Sequence, residues 1–152
     1  MNILIAAIGR ARSGPEQSLF ETYAARLPWK IEVKELEIKK ELSPDVRKAR
    51  EAELLLGAVP DGARVVALDE RGKTEASAAF ATRLGRWRDD GVRGVAFLIG
   101  GADGLDETVR KRADLVLSLG AMTWPHLLVR GLLAEQLYRA HSILTGHPYH
   151  RA

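Results

Sequence analysis

His126 and Arg130 stand four residues apart at the head of the last helical segment, His126-Leu127-Leu128-Val129-Arg130. Side chains at that spacing share one helix face, so a titratable imidazole and a permanent cation can point into one pocket. Imidazole titrates nearest neutrality among the side chains, which suits it to general acid–base work. The chain then closes on His147-Pro148-Tyr149-His150-Arg151, a run without apolar pattern. Such a tail is hard to explain as core and is dense in groups that move protons or bind anions. A metal centre is not expected. The four histidines, His126, His141, His147 and His150, fall in three local contexts, no carboxylate completes a ligand set, and there is no cysteine.

Two further stretches offer backbone rather than side chains. Gly100-Gly101-Ala102-Asp103-Gly104 follows the apolar run ending at Ile99. Its glycines let the chain approach a ligand closely and leave amide N–H groups free to donate. They are not spaced as G-x-G-x-x-G, and they come late in the chain, so a nicotinamide fingerprint is not indicated. Leu119-Gly120-Ala121-Met122-Thr123-Trp124 is unusually apolar for a loop. It is expected to be covered by an adenine ring or another chain segment, or to fold onto the core. Gly72-Lys73-Thr74 imitates the end of a phosphate-binding loop, but the glycine required five residues earlier is Ala67. That rejects the nucleotide triphosphatase class. The turn expected at Leu68–Gly72 still lies at a strand's carboxyl end, where open α/β sheets bind ligands.

The elements that must hold these groups alternate. Ile3–Ile8, Trp29–Ile38, Arg64–Leu68, Gly94–Ile99 and Leu115–Leu119 read as strands. Between them, Leu19, Phe20, Tyr23 and Leu27 mark a first helix, Ser43-Pro44-Asp45 starts a second that stops at Gly57, and Ala76 to Trp87 carries a third. Leu105–Ala113 is a short fourth helix. A fifth begins near Pro125, with Val129, Leu132, Leu133, Leu137, Ala140 and Leu144 on one stripe. A second face of small residues, Gly131 and Ala134 with Tyr138, permits close approach by another element; packing within this chain would serve, but a two-fold subunit interface is the sharper expectation. The pattern predicts one α/β domain over 1–152, a mostly parallel sheet with helices on both faces.

The chain has 152 residues, enough for one core, with 46% apolar and 28% charged residues. A net charge of +3 is a mild bias toward anionic partners. No apolar stretch approaches a membrane span and no leader pattern opens the chain. A cytoplasmic protein without membrane contact is expected.

Taken together, several blocks are specific. They are Leu68-Asp69-Glu70-Arg71-Gly72-Lys73, Leu98-Ile99-Gly100-Gly101 with Gly104, and Thr123 with Pro125-His126 and Leu128-Val129-Arg130. Glu135-x-x-Tyr138-Arg139-Ala140 and His147-Pro148-Tyr149-His150-Arg151 complete the set. On these residues the chain resembles, over essentially its whole length, the ribosomal large-subunit pseudouridine N3-methyltransferases, a minimal branch of the SPOUT methyltransferases. Ala102-Asp103 stands where that family more usually has Pro-Glu, and Gly120 where serine is common.

The resemblance implies a C-terminal trefoil knot, which would bury the apolar loop. It implies S-adenosylmethionine as cofactor, held by Leu68, Gly100 and the loop Leu119, Gly120, Ala121, Met122, Thr123 and Trp124. It implies methylation of N3 of a pseudouridine in large-subunit (23S) ribosomal RNA, on free RNA or the ribosome, by a homodimer without metal. The catalytic set would be His126, Arg130, His150 and Arg151, with His126 or His150 as base and the arginines stabilising charge or binding phosphate. Arg10, Arg12 and Arg110-Lys111-Arg112 would add phosphate contacts. Two alternatives stand beside this: a non-catalytic ribosome-binding protein on the same fold, and a SPOUT methyltransferase acting on transfer RNA.

Overall fold

The computed structural model describes residues 1–151. Strands and helices alternate along the chain: β1 (Asn2–Ile8), α1 (Pro15–Arg26), β2 (Lys30–Leu36), α2 (Pro44–Gly57), β3 (Arg64–Lys73), α3 (Ser77–Asp89), β4 (Gly94–Ile99), α4 (Glu107–Arg112), β5 (Leu115–Leu117) and α5 (His126–Thr145). The strands form one sheet in the order β2-β1-β4-β3-β5, every pair parallel. All carboxyl ends therefore open on one edge, which is where the loops of interest emerge.

Strand periodicity sorts the core into two layers. Ile3, Ile5 and Ala7 of β1, with Phe97 of β4, face the layer built by α1, α3 and α5. Leu4, Ala6 and Ile8 face Ala52 and Leu55 of α2 and Val109 of α4. β1 and β4 are central and buried on both faces, hence their unbroken apolar runs. β2 is an edge strand and alternates half-buried Ile31 and Val33 with exposed neighbours.

Three departures from the sequence reading bear on the site. First, Leu68–Gly72 is no turn: β3 continues to Lys73, and its pairing with β5 resumes at Lys73 opposite Leu117 after an irregularity. Polar Asp69-Glu70-Arg71 carries no strand pattern because it bulges out of the ladder: Leu68 and Lys73 both pair with Leu117, and the residues between them are unpaired with a neighbouring strand. Gly72 makes that possible. A Cβ there would lie 2.5 Å from the carbonyl carbon of Val116 and 2.9 Å from the nitrogen of Leu117.

Second, the Gly131/Ala134/Tyr138 face is not a free subunit interface. It lies against α1 of the same chain: a Cβ on Gly131 would stand 2.8 Å from Leu19, Ala134 is fully buried, and Tyr138 meets the Tyr23 ring. Small residues permit close approach, and α1 is what approaches. Third, β5 and α4 are shorter than expected; α4 starts at Glu107 because Asp106 caps it, accepting from the Thr108 N–H at 3.1 Å.

Candidate active site

The carboxyl ends of β3, β4 and β5 border a cleft of about 380 Å³. One wall is Leu68 to Arg71, a second is the loop from Gly100 to Leu105, and a third is the loop after Leu117 up to His126. Leu68, Ile99, Leu117 and Leu119 give it apolar surface, and Asp69, Glu70, Arg71, Asp103, Thr123 and His126 give it polar groups. The glycine loop is tight: the Gly104 N–H donates to the Gly101 carbonyl at 3.0 Å, and Gly104 takes a φ of +83°. Gly100 is buried, and a Cβ on it would press on the Gly104 carbonyl group and Leu105. Glycine there closes the loop as well as exposing backbone.

The loop from Leu119 to Trp124 is folded on itself rather than covered. The Gly120 N–H donates to Ser118 Oγ at 3.1 Å, and the Trp124 indole N–H donates to the Leu119 carbonyl at 3.3 Å. Gly120 adopts a φ of +111°, in the left-handed region that disfavours serine. Met122 is 73% exposed and Trp124 39%. Of the expected cofactor residues, Leu68, Gly100, Leu119, Gly120, Met122, Thr123 and Trp124 line the cleft, while Ala121 sits on the loop without facing it. Arg110 braces the rim, donating to the Leu105 carbonyl at 2.6 Å and pairing with Asp69 at 3.6 Å. It is thus partly occupied, unlike a free phosphate ligand. Arg10 likewise pairs with Glu37 at 2.9 Å, whereas Arg12 is exposed.

His126 and Arg130 are not brought together. His126 is exposed on the cleft wall. Arg130 is 3% exposed and turns away, donating to Glu35 of β2 at 2.6 Å and to the Gly9 carbonyl at 3.2 Å. Glu35 also accepts the Ala11 N–H. Burial pushes the Glu35 carboxyl up, but the hydrogen bonds from Arg130 and Ala11 outweigh it and hold the group below its usual range. Arg130 therefore fastens α5 to the loop after β1. Its partner is distant in sequence, so local spacing could not reveal it.

The tail is ordered. Gly146 takes φ +75°, and the His147 N–H donates to the Ser142 carbonyl at 2.9 Å, a Schellman ending that turns the chain back along α5. Tyr149 then seats its ring 4.7 Å from that of Tyr138, under the Arg139 guanidinium at 4.9 Å. Its hydroxyl donates to Glu135 at 2.9 Å and lies 3.4 Å from that of Tyr23. Burial, then these hydrogen bonds, push its phenol well above the ordinary tyrosine value. Arg139 Nη1 reaches His150 Nδ1 at 3.1 Å, and Arg151 is exposed. Glu135 and Tyr23, which hold the tail through Tyr149, are not among the site residues the sequence singles out. Glu135 carried a signal, the Glu135-x-x-Tyr138-Arg139 block, whereas Tyr23 looked like one more residue of a helix stripe.

Fold and site define a parallel-sheet α/β protein whose ligand cleft lies beyond the carboxyl ends of its strands. Residues 1–150 match the family model described as "Predicted SPOUT methyltransferase", and the chain belongs to the SPOUT methyltransferase family. It is similar to proteins named Ribosomal RNA large subunit methyltransferase H. That of Rhodospirillum centenum is 60% identical over 152 residues and covered in full on both sides. That of Paramagnetospirillum magneticum is 63% identical over 151 residues, 99% of each chain. Among solved structures, it is similar to the SpoU methyltransferase AviRb from Streptomyces viridochromogenes in complex with AdoMet, with a TM-score of 0.47 at 12% identity. That match covers 93% of this chain and 60% of AviRb.

Proposed function

We propose that this chain methylates N3 of a pseudouridine in large-subunit ribosomal RNA, using S-adenosylmethionine, as a cytoplasmic homodimer. The observation that carries the reading is full-length similarity, 60% and above, to proteins named as large-subunit ribosomal RNA methyltransferases. The cleft fits the cofactor class. A volume near 380 Å³, lined by Leu68, Ile99, Leu117 and Leu119 together with polar Asp69, Glu70, Asp103 and Thr123, suits a nucleoside-sized ligand that has an apolar ring and polar groups. Leu68, Gly100 and the 119–124 loop would hold it. Bound there, S-adenosylmethionine supplies a methyl carbon on a sulfonium. The chain's own task is to orient the base in line with that carbon and to take the weakly acidic N3 proton. His126, at the cleft wall, and His150 are the candidates for the base. Arg151 is free to meet phosphate or developing negative charge. Arg130 contributes by holding the loop after β1. The trefoil knot belongs to the same proposal, and the tight passage of Gly72 over Val116 is compatible with crossing backbone segments.

Geometry supports the dimer. His150 sits beside Arg139, thirteen residues along α5 from His126, or about 20 Å of helix. One chain's tail does not reach its own cleft, so a site with both needs two chains. Exposed Met122 and Trp124 beside the cleft give a second chain something to cover.

Labelled methyl transfer to purified large subunits, assembled ribosomes and transfer RNA, with mapping of the product, tests the reading. Label on N3 of one pseudouridine of large-subunit RNA is expected. Label only on transfer RNA, or no cofactor binding by calorimetry, selects one of the two alternatives instead. Mixing a cleft-defective variant with a tail-defective one tests the dimer. Statistical exchange gives half heterodimers with one intact site each, so about a quarter of wild-type activity should return. A mixture as inactive as its parents would refute a shared site.

A further inference from the structure

His150 is held by a group that can only donate. A guanidinium has five N–H donors and no acceptor, and it does not lose its proton in proteins. Arg139 Nη1 lies 3.1 Å from His150 Nδ1, so the lone pair on Nδ1 must be the acceptor. A ring accepting at Nδ1 carries its proton on Nε2. The guanidinium itself is not free to turn. Glu135 Oε1 accepts from its Nε at 3.0 Å and its Nη2 at 2.5 Å, and the Tyr149 ring packs on its face. That leaves Nη1 as the edge presented to the tail. Glu135 and Arg139 are each at least three-quarters buried as side chains, so this is a fixed pair rather than a solvated one.

We propose that Arg139, clamped by Glu135, is a positioning residue that fixes His150 as its Nε2–H tautomer, so that the tail presents a hydrogen-bond donor and not a base. The inference rests on the proposed function in one respect, that the tail meets the substrate. There, an Nε2–H aimed at a uracil carbonyl oxygen stabilises the negative charge that grows on it as N3 loses its proton. The proton itself goes to another acceptor, because Nε2 is already occupied and Nδ1 is taken. Of the two candidate bases, this leaves His126.

Two measurements test this. Long-range nitrogen–proton correlation NMR on wild-type protein reads the tautomer without any activity. His150 should show an unprotonated Nδ1 and a protonated Nε2, and Arg139→Met should shift the ring to an average of both tautomers. Arg139→Lys, which keeps the charge but cannot serve Glu135 and His150 together, should shift it partway and guards against misfolding of the methionine variant. A wild-type ring protonated on Nδ1, or a tautomer indifferent to both substitutions, would overturn the inference. Single-turnover methylation then separates donor from base. His150→Ala should lose about a hundredfold in rate, as removal of one charge-stabilising donor does. His150→Gln can donate an N–H yet cannot take a proton, and should recover much of that loss with KM unchanged. Equal collapse in both variants would make His150 the base and refute the assignment. A wild-type protein inactive on ribosomal RNA would instead sink the proposed function, a result the NMR measurement distinguishes.

Discussion

Gly72→Ala adds one methyl group and should cost the protein more than most larger changes. Its Cβ would stand 2.5 Å from the Val116 carbonyl carbon and 2.9 Å from the Leu117 nitrogen, where about 3.5 Å is the closest comfortable contact. Both obstructing atoms are backbone, so no rotamer change relieves the overlap. β5 is held against β3 on either side of the clash, at Leu68–Leu117 and Lys73–Leu117, and the Ser118 N–H donates to the Lys73 carbonyl at 2.8 Å. Relief means prising the end of β3 from β5, with overpacking of about 1–3 kcal/mol and about 1 kcal/mol for a weakened hydrogen bond. A loss near 3 kcal/mol corresponds to about 6–12 °C in melting temperature for a chain of this size. Gly57→Ala is the control: nothing lies within 4 Å of its Cβ, at the end of α2, and it should be neutral or slightly stabilising. Since Leu68 to Arg71 and Leu117 border the cleft, Gly72→Ala should also weaken cofactor binding in calorimetry. Thermal melts in which the two variants coincide would refute the packing argument.

Ala134→Arg should unfold the chain rather than dissociate a pair of folded subunits, because Ala134 is fully buried beneath α1; circular dichroism alongside light scattering decides, and a folded monomer would contradict it. Arg130→Met removes two hydrogen bonds from a buried cation and should cost about 2–3 kcal/mol in urea unfolding. Glu35 is held below its ordinary value in the fold, so wild-type stability is present above the unfolded carboxyl value and lost as pH falls through the folded one. The variant should lose that acid dependence, and an unchanged pH profile would count against the clamp. Glu51 is 6% exposed, with Oε1 lacking any partner, and burial raises its carboxyl despite nearby Arg47. A raised folded value means stability falls as pH climbs from about 4 through the folded value, then levels. Glu51→Gln should remove that fall, which urea titrations across the range would detect; a variant less stable than wild type above it would refute this.

The sequence made the central strands plain because β1 and β4 are buried on both faces and spell continuous apolar runs. It hid the end of β3, where pairing with β5 resumes at Lys73 beyond a bulge and Asp69-Glu70-Arg71 says nothing of it. Cleft residues were legible as a set because loops at strand ends of a parallel sheet converge, whichever residues they carry. The fate of Arg130 was not. Helical spacing placed it near His126, but a long side chain chooses among partners in space, and Glu35 lies 95 residues away in sequence. The small-residue face of α5 had the same defect: glycine and alanine announce that something packs closely without saying what. Tyr149 shows the opposite limit. Nothing apolar surrounds it in the tail, yet it is half-buried, because Gly146 turns it back onto Tyr138 and Tyr23.

How α5 is used bears on why two chains would be needed. It packs against α1 and α3 over the sheet, so its apolar stripe and its small-residue face are both spent inside the chain. Among the described residues, two of the three exposed large apolar side chains, Met122 and Trp124, sit at the cleft mouth, the third being Val46 on α2. Removing such surface from water is favourable at about 25 cal/mol per Å², and in the proposed dimer a segment covering Met122 and Trp124 would arrive beside Thr123 and His126. The tail, meanwhile, is latched by Glu135 and Arg139 without any contribution from the cleft. It is therefore set before substrate or cofactor arrives, and a second chain closing on Trp124 can bring a ready-made His150 and exposed Arg151 toward a cleft that lacks both. In the proposed dimer the site would then be assembled at the same surface that receives the second chain.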